Sequence, residues 1–362
     1  MTTTTRLAFA IAVLAALSAA ADDSGPRIGY IYPAGGQVGS HFQAILGGQN
    51  LTGVTGAYLT GNADMNAEVM WQIRNLKMLK KEERAEIAKR LVEAWKDKIP
   101  EWAKDNPQTV AAFQALIGKA EKEAANAPSE ETKLPKHALI DRIGELTQRE
   151  WEKLAYELLM PREKKQQNAQ IADIVMLDIE IESTATPSDR ELRLDTPQGL
   201  TNPICFQIGA LQEVCELEPN DPKPSAKDEP PAPIRLPAVL NGQILPGDVD
   251  RFRIEVHKGQ RLVFQTQARH LTPYLADAVP GWFQAVVALY DDKGVEVASA
   301  DDYRFDPDPV LFFEPKEDGV YELEIKDALY RGREDFVYRV SAGELPFITG
   351  IEPLGGKEEK PV

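Results

Sequence analysis

The sequence predicts a mainly β chain: two β-sandwiches, immunoglobulin-like or jelly-roll-like, and a small helical hairpin or bundle inserted in the first. Three observations predict it. Short alternating apolar runs, broken by Pro, Gly and Asp, fill residues 25–65 and everything from about 166 onward. Between them, residues 66–165 turn to Ala, Lys, Glu and Leu at helical spacing. Charge divides the same way. Residues 61–165 hold 20 basic and 19 acidic residues, whereas the whole chain holds 41 and 57, a net charge of −16.

The N-terminus reads as a secretory signal peptide over 1–21. Arg6 precedes an apolar run, Leu7 to Leu17, and then Ser18-Ala19-Ala20-Ala21, a small-residue cleavage site. The run is too short to span a bilayer comfortably. The expected product is exported (periplasmic, cell-surface or extracellular), with no transmembrane segment after cleavage.

Residues 25–65 are too few for a domain of their own. Joined with 166–214 they suffice for one small sandwich. Its strands are expected over Ile171–Ile181, over Glu191–Leu194, and at Ile204, Phe206 and Ile208, which share a face. The insertion at 66–165 has clear punctuation. Ile87, Leu91 and Trp95 form one stripe, ended by Pro100. Asp105-Asn106-Pro107 reads as an N-cap and first turn before Val110, Phe113, Ile117 and Ala120. Thr147 and Glu150 have capping-box spacing ahead of Trp151, Leu154 and Leu158, and Pro161 stops that helix. Evenly mixed charge favours a solvated bundle over a partner-docking device.

Residues 215–236 are acidic and rich in Pro, which reads as a stiff linker. The second sandwich follows over 237–343. Leu245-Pro246-Gly247-Asp248, Lys258-Gly259, Asp291-Asp292-Lys293-Gly294 and Glu317-Asp318-Gly319 mark its turns. Phe252, Ile254 and Val256 alternate; so do Val286, Ala288 and Tyr290, and Tyr321, Leu323 and Ile325. An internal repeat closes the chain. Pro26, Ile28, Ile31, Pro33, Gly35 and Gly36 recur as Pro346, Ile348, Ile351, Pro353, Gly355 and Gly356. Residues 344–362 therefore read as the start of an incomplete further module.

Composition and motifs narrow the function. The acidic balance argues against nucleic acid, which needs a basic stripe. Two cysteines exclude a Cys₄ zinc site, and the four histidines include no HExxH. Gly35-Gly36-Gln37-Val38-Gly39-Ser40 is neither a Walker A motif nor GxGxxG. There is no GxSxG elbow, and Ser40 and His41 are adjacent without triad partners. The chain is expected not to be an enzyme.

Oxygen ligands are the one concentrated chemistry. Glu216, Glu218, Asn220 and Asp221 lie within six residues, and Asp248 and Asp250 add two acids in a turn. Such hard donors suit Ca²⁺; plain turn chemistry is the other reading of Asp248 and Asp250. Cys205 and Cys215 are the only pair that could form an intrachain disulfide, given a fold-back near Gly209. Two separate, partly buried thiols are the rival reading.

The second β region resembles the bacterial pre-peptidase C-terminal domain. The residues that carry this are Glu218-Pro219-Asn220-Asp221, Gly242-Gln243-Ile244, Gly247-Asp248-Val249-Asp250-Arg251-Phe252, Leu289-Tyr290-Asp291, Ala300-Asp301-Asp302 and Gly319-Val320-Tyr321. The preceding sandwich, with Thr196-Pro197-Gln198-Gly199-Leu200 near its end, is similar to IPT/TIG-like modules of large exported proteins of Planctomycetes. The resemblance implies calcium ligands at Glu216, Glu218, Asn220 and Asp221, as in the related collagen-binding domains of clostridial collagenases, and at Asp248 and Asp250, where the spacing between the two acids differs. It implies an exported interaction or structural module, calcium-stabilised, with a cell-envelope protein or carbohydrate as partner. The alternative is the non-catalytic N-terminal part of a secreted peptidase or other hydrolase with its catalytic domain downstream.

Overall fold

The computed structural model describes residues 25–61, 64–74, 79–104, 107–127, 132–159, 168–216, 232–271, 282–353 and 355. The expected signal peptide lies outside the described residues.

The first unit opens with β1 (Arg27–Tyr32), β2 (Gly35–Gln37), β3 (His41–Gln49), β4 (Gly56–Leu59) and β5 (Met65–Arg74). Among the described residues five helices follow: α1 (Lys81–Trp95), α2 (Glu101–Lys104), α3 (Pro107–Ala124), α4 (Ala138–Asp141) and α5 (Gln148–Leu159). The chain then returns to strands in β6 (Asp173–Ile181), β7 (Ser188–Thr196), β8 (Gly199–Leu200) and β9 (Ile204–Gly209). Two sheets result, in the orders β1-β3-β6-β5 and β2-β9-β7-β4, with β8 against β7. Along β9, Ile204, Phe206 and Ile208 are buried and Cys205 and Gln207 half-buried, the alternation of a strand with one core face.

β6 behaves differently. Ile174, Val175, Met176 and Leu177 are all buried, so both faces of this strand are covered. The helices supply the second cover. Ile87, Leu91, Phe113, Trp151 and Leu154 belong to the same continuous core as Tyr30, Leu46 and Met176. The Thr147–Glu150 capping box forms: Thr147 N–H donates to Glu150 Oε2 at 2.9 Å, and Glu150 N–H to Thr147 Oγ1 at 3.4 Å. The same buried carboxylate accepts from Trp71 Nε1 at 2.8 Å and Arg142 Nη1 at 3.0 Å, tying the helix cap to β5.

Residues 65–74 form a strand, where 66–165 was expected to be helical. Ala67, Val69, Trp71 and Ile73 are buried or half-buried in a strand-like alternation that the Ala/Glu-rich texture obscured.

The second unit contains β10 (Gln212–Cys215), β11 (Ile234–Arg235), β12 (Ala238–Gln243), β13 (Asp250–Val256), β14 (Leu262–Gln267), β15 (Ala285–Tyr290), β16 (Glu296–Ala300), β17 (Val310–Phe313), β18 (Gly319–Asp327) and β19 (Val337–Gly343). They form two five-stranded sheets, β10-β12-β19-β14-β17 and β11-β13-β18-β15-β16. Phe252, Ile254, Leu323 and Ile325 fill the space between them. On β15, Ala285, Val287, Ala288 and Leu289 are buried and Val286 and Tyr290 half-buried, so the alternation of Val286, Ala288 and Tyr290 does not mark one face. The run Ala-Val-Val-Ala-Leu-Tyr is apolar at both parities, so alternation alone could not choose.

The sequence boundary drawn at 214 falls within β10. That strand pairs in parallel with β12, Gln212 opposite Ala238 through Cys215 opposite Asn241, and so belongs to the second sandwich. In the repeat, Ile28 and Ile31 are buried at 3% and 1% exposure, but Ile348 and Ile351 are exposed at 76% and 69%.

Candidate metal centre

Three of the sequence-predicted ligands are described, and all three are buried: Glu216, Asp248 and Asp250. Glu218, Asn220 and Asp221 lie outside the described residues. Glu216 follows β10, its N–H donating to Asn241 O at 2.9 Å, which continues the β10–β12 pairing. Its Oε1 accepts from Gln243 N–H at 2.5 Å and from the Tyr32 hydroxyl of the first sandwich at 3.5 Å. Asp248 closes the turn before β13. It accepts the N–H of Leu245 at 3.2 Å and of Val249 at 2.9 Å, with Gly247 at φ +80° supplying the left-handed position. Asp250 accepts from the Tyr338 hydroxyl at 2.5 Å.

Tyr338 is the partner of Asp250. It is fully buried on β19, opposite Gly242 of β12. A Cβ at Gly242 would overlap the Tyr338 phenol, so this glycine makes room for the ring. Burial pushes the Tyr338 phenol well above its ordinary range, and the negative charges of Asp250 and then Glu216 push it further. Burial and the Glu216 charge do the same to Tyr32, against an opposing Arg149. The phenol thus senses both carboxylates, one from the linker side and one from the turn side. The donors are all oxygen, which fits a hard cation such as Ca²⁺. The structure does not gather Glu216, Asp248 and Asp250 into a three-donor cluster: each carboxylate has its own partner, Gln243 N–H, the Leu245 and Val249 N–H groups, and the Tyr338 hydroxyl respectively.

The expected Cys205–Cys215 disulfide is corrected: both are free thiols. Cys205 points off the outer face of β9, and its Sγ lies 3.9 Å from His270 Nε2. Burial pushes its thiol up to about 11, with the Asp189 charge adding to the effect. Cys215 has left that sheet with β10; burial also raises its thiol, with Arg149 opposing. The strand switch at Gly209–Gln212 therefore carries the two sulfurs to different sheets.

The acidic run Asp301, Asp302, Asp306 and Asp308 is a structural loop. Tyr303 and Asp306 bridge, and Asp308 accepts the N–H of Arg269 at 2.7 Å and of His270 at 2.9 Å. Sequence reasoning missed the buried cations that join the units. Arg339 of β19 donates to Gln207 of the first sandwich at 3.1 Å, and to Asn241 and Glu213 at 2.8 Å each. A Cβ at Gly35 would overlap both Gln207 O and this guanidinium. The glycine-rich opening is thus a close-packing device rather than a phosphate loop.

No protein-family model matches the chain, and no curated protein matches it. Among solved structures, weak likenesses occur. The secreted serine protease VesC from Vibrio cholerae aligns over 88% of this chain and 50% of its own, at 7% identity and a TM-score of 0.21. The chain thus spans about half of VesC. The Bacteroides ovatus mixed-linkage glucan utilization locus protein SGBP-B, solved with a mixed-linkage heptasaccharide, aligns over 85% and 72% at 7% identity and a TM-score of 0.18. The C-terminal domain of the Streptococcus pyogenes antigen I/II-family protein AspA aligns over 84% and 91% at 9% identity and a TM-score of 0.18. Among the described residues no helix is long and apolar enough to cross a membrane.

Proposed function

We propose that this chain is a non-catalytic, exported interaction or structural module whose second sandwich is a pre-peptidase C-terminal-like domain stiffened by Ca²⁺. One observation carries the reading. Glu216, just after β10, and Asp250, at the start of β13, are both buried and bonded to neighbouring strands, Glu216 to the Gln243 N–H of β12 and Asp250 to the Tyr338 hydroxyl of β19. Bound calcium would fasten the start of the Pro-rich connector to the β domain. Tyr32 brings the first sandwich to the same carboxylate. The cation's role is mechanical: it neutralises buried acids and fixes how one unit presents the other. The partner in this reading is a protein or carbohydrate of the cell envelope.

The test is calorimetric titration of the chain with Ca²⁺, together with thermal unfolding in Ca²⁺ and in EGTA. Saturable binding and a higher melting temperature in Ca²⁺ are expected, both lost in Asp250→Asn. No heat of binding and no shift in melting would discard the calcium role.

A further inference from the structure

A second donor cluster, of different chemistry, sits where the two sandwiches meet. His270 Nε2 lies 3.9 Å from Cys205 Sγ and 3.7 Å from Asp189 Oδ2. The three donor atoms all fall within 4.8 Å of one another. Asp189 comes from β7 and Cys205 from β9, adjacent strands of the first sandwich. His270 comes from the short 3-10 helix Arg269–Leu271 of the second. The triad therefore exists only in the seated arrangement of the two.

Asp189 and the segment that carries His270 are held from behind. Asp189 Oδ1 accepts from Gln207 Nε2 at 2.9 Å, which leaves Oδ2 turned toward His270. Gln207 is itself fixed by Arg339 Nε at 3.1 Å. The backbone N–H groups of Arg269 and His270 are both pinned to the buried Asp308 carboxylate. Hydrogen bonds of this kind orient metal ligands and tune their affinity.

We propose that Asp189, Cys205 and His270 form a binding site for a borderline-soft divalent cation of the Zn²⁺ class, clamping the first sandwich to the second. A thiolate, an imidazole and a carboxylate are the donor types such ions take. Bonds of about 2.0–2.3 Å in a tetrahedron place ligand atoms about 3.4–3.6 Å apart. The present separations from Nε2 need only a few tenths of an ångström of closure. The side chains of His270 and Asp189 are 52% and 59% exposed, so they can move that far and leave a fourth position to water. On binding, the S–H bond of Cys205 gives way to an S–metal bond and its proton passes to solvent. His270 ligates through its neutral Nε2. Ca²⁺ does not compete for this site, because it disfavours sulfur and nitrogen.

The experiment is a Co²⁺ titration of the reduced chain, followed by near-ultraviolet absorption and back-titration with Zn²⁺. One equivalent should produce a sulfur-to-cobalt charge-transfer band that Zn²⁺ abolishes. Cys215→Ser should keep the band, Cys205→Ser should lose it, and His270→Gln should weaken Co²⁺ binding at least ~10-fold. Far-ultraviolet circular dichroism confirms that each variant is folded. Absence of the band in the folded wild type, or its survival in Cys205→Ser, overturns the site and leaves an exposed His270–Asp189 pair beside a thiol. Neither result depends on Ca²⁺ binding, which is read separately at Asp250.

Discussion

Lys153 Nζ, on the last helix of the insertion, reaches Glu334 Oε1 of the second sandwich at 2.9 Å, with both side chains buried. Glu157 Oε1 lies 3.2 Å from the same ammonium. Burial opposes the charge of Lys153, but the two carboxylates outweigh it and hold its pKa above the ordinary value. The insertion is thereby tied to both β units: through its apolar stripes to the first, and through this ion pair to the second.

Removing Lys153 leaves two buried carboxylates short of a counter-charge. Lys153→Met is expected to destabilise the chain by about 3–5 kcal/mol, the usual cost of breaking a buried pair. Lys153→Met combined with Glu334→Gln should cost less than the sum of the two single changes. Urea unfolding of the four proteins measures the coupling. Strict additivity would show that the contact carries no energy.

Gly242 and Tyr338 make a second, steric prediction. Gly242→Ala puts a methyl group against the buried phenol and should cost about 1–3 kcal/mol. The displaced ring would also pull its hydroxyl from Asp250, so Ca²⁺ affinity should fall alongside stability. Unchanged thermal unfolding would mean that the ring moves freely.

Local features were legible in the sequence, and long-range ones were not. The β9 alternation at Ile204, Phe206 and Ile208 and the Thr147–Glu150 capping box each rest on residues a few positions apart, and both appear as read. β5 was hidden because Ala67 and Glu68 have the composition of a helix, and only a pairing partner such as β6 decides. On β15 both parities are apolar, so alternation alone did not choose a core face. Lys153 and Glu334 stand 181 positions apart, and Cys205 and His270 stand 65 apart. No spacing rule links such pairs; the packing of whole units brings them together. The acids of the proposed calcium site were visible as a run in the sequence, but the Tyr338 hydroxyl that bonds Asp250 gave no sequence signal.

Asp327 offers a test at acidic pH. It is fully buried at the end of β18 and accepts the N–H groups of Gln284, Leu329 and Arg331 and the Arg331 guanidinium. Burial alone would raise its pKa, but the Arg331 side chain and these backbone donors outweigh it and lower the value. A lowered folded value means stability that is present above the unfolded carboxylate pKa of about 4 and lost as pH falls through the folded one. Asp327→Asn should therefore cost about 3 kcal/mol at pH 7 and much less at pH 2. Denaturant midpoints at the two pH values measure it, and an equal loss at both would reject the linkage.

His137 acts higher on the pH scale. It caps α4, its Nδ1 accepting the N–H of Leu139 at 3.3 Å, so the capping ring is neutral at that nitrogen. Burial lowers its pKa to about 4; the nearby Lys153 adds to this, while Glu157 and Asp141 oppose it. The folded value lies below the unfolded one of about 6.5, so the contribution is complete above that pH and is lost as pH falls toward the folded value. Protonation would also turn Nδ1 from acceptor into donor and break the cap. His137→Asn keeps a capping oxygen but cannot take up a proton. Between pH 7 and pH 4.5 the wild type should lose about 2 kcal/mol more than the variant, at ~1.4 kcal/mol per pH unit once the unfolded imidazole is protonated. Parallel stability curves for the two proteins would show that the imidazole is not held neutral by the fold.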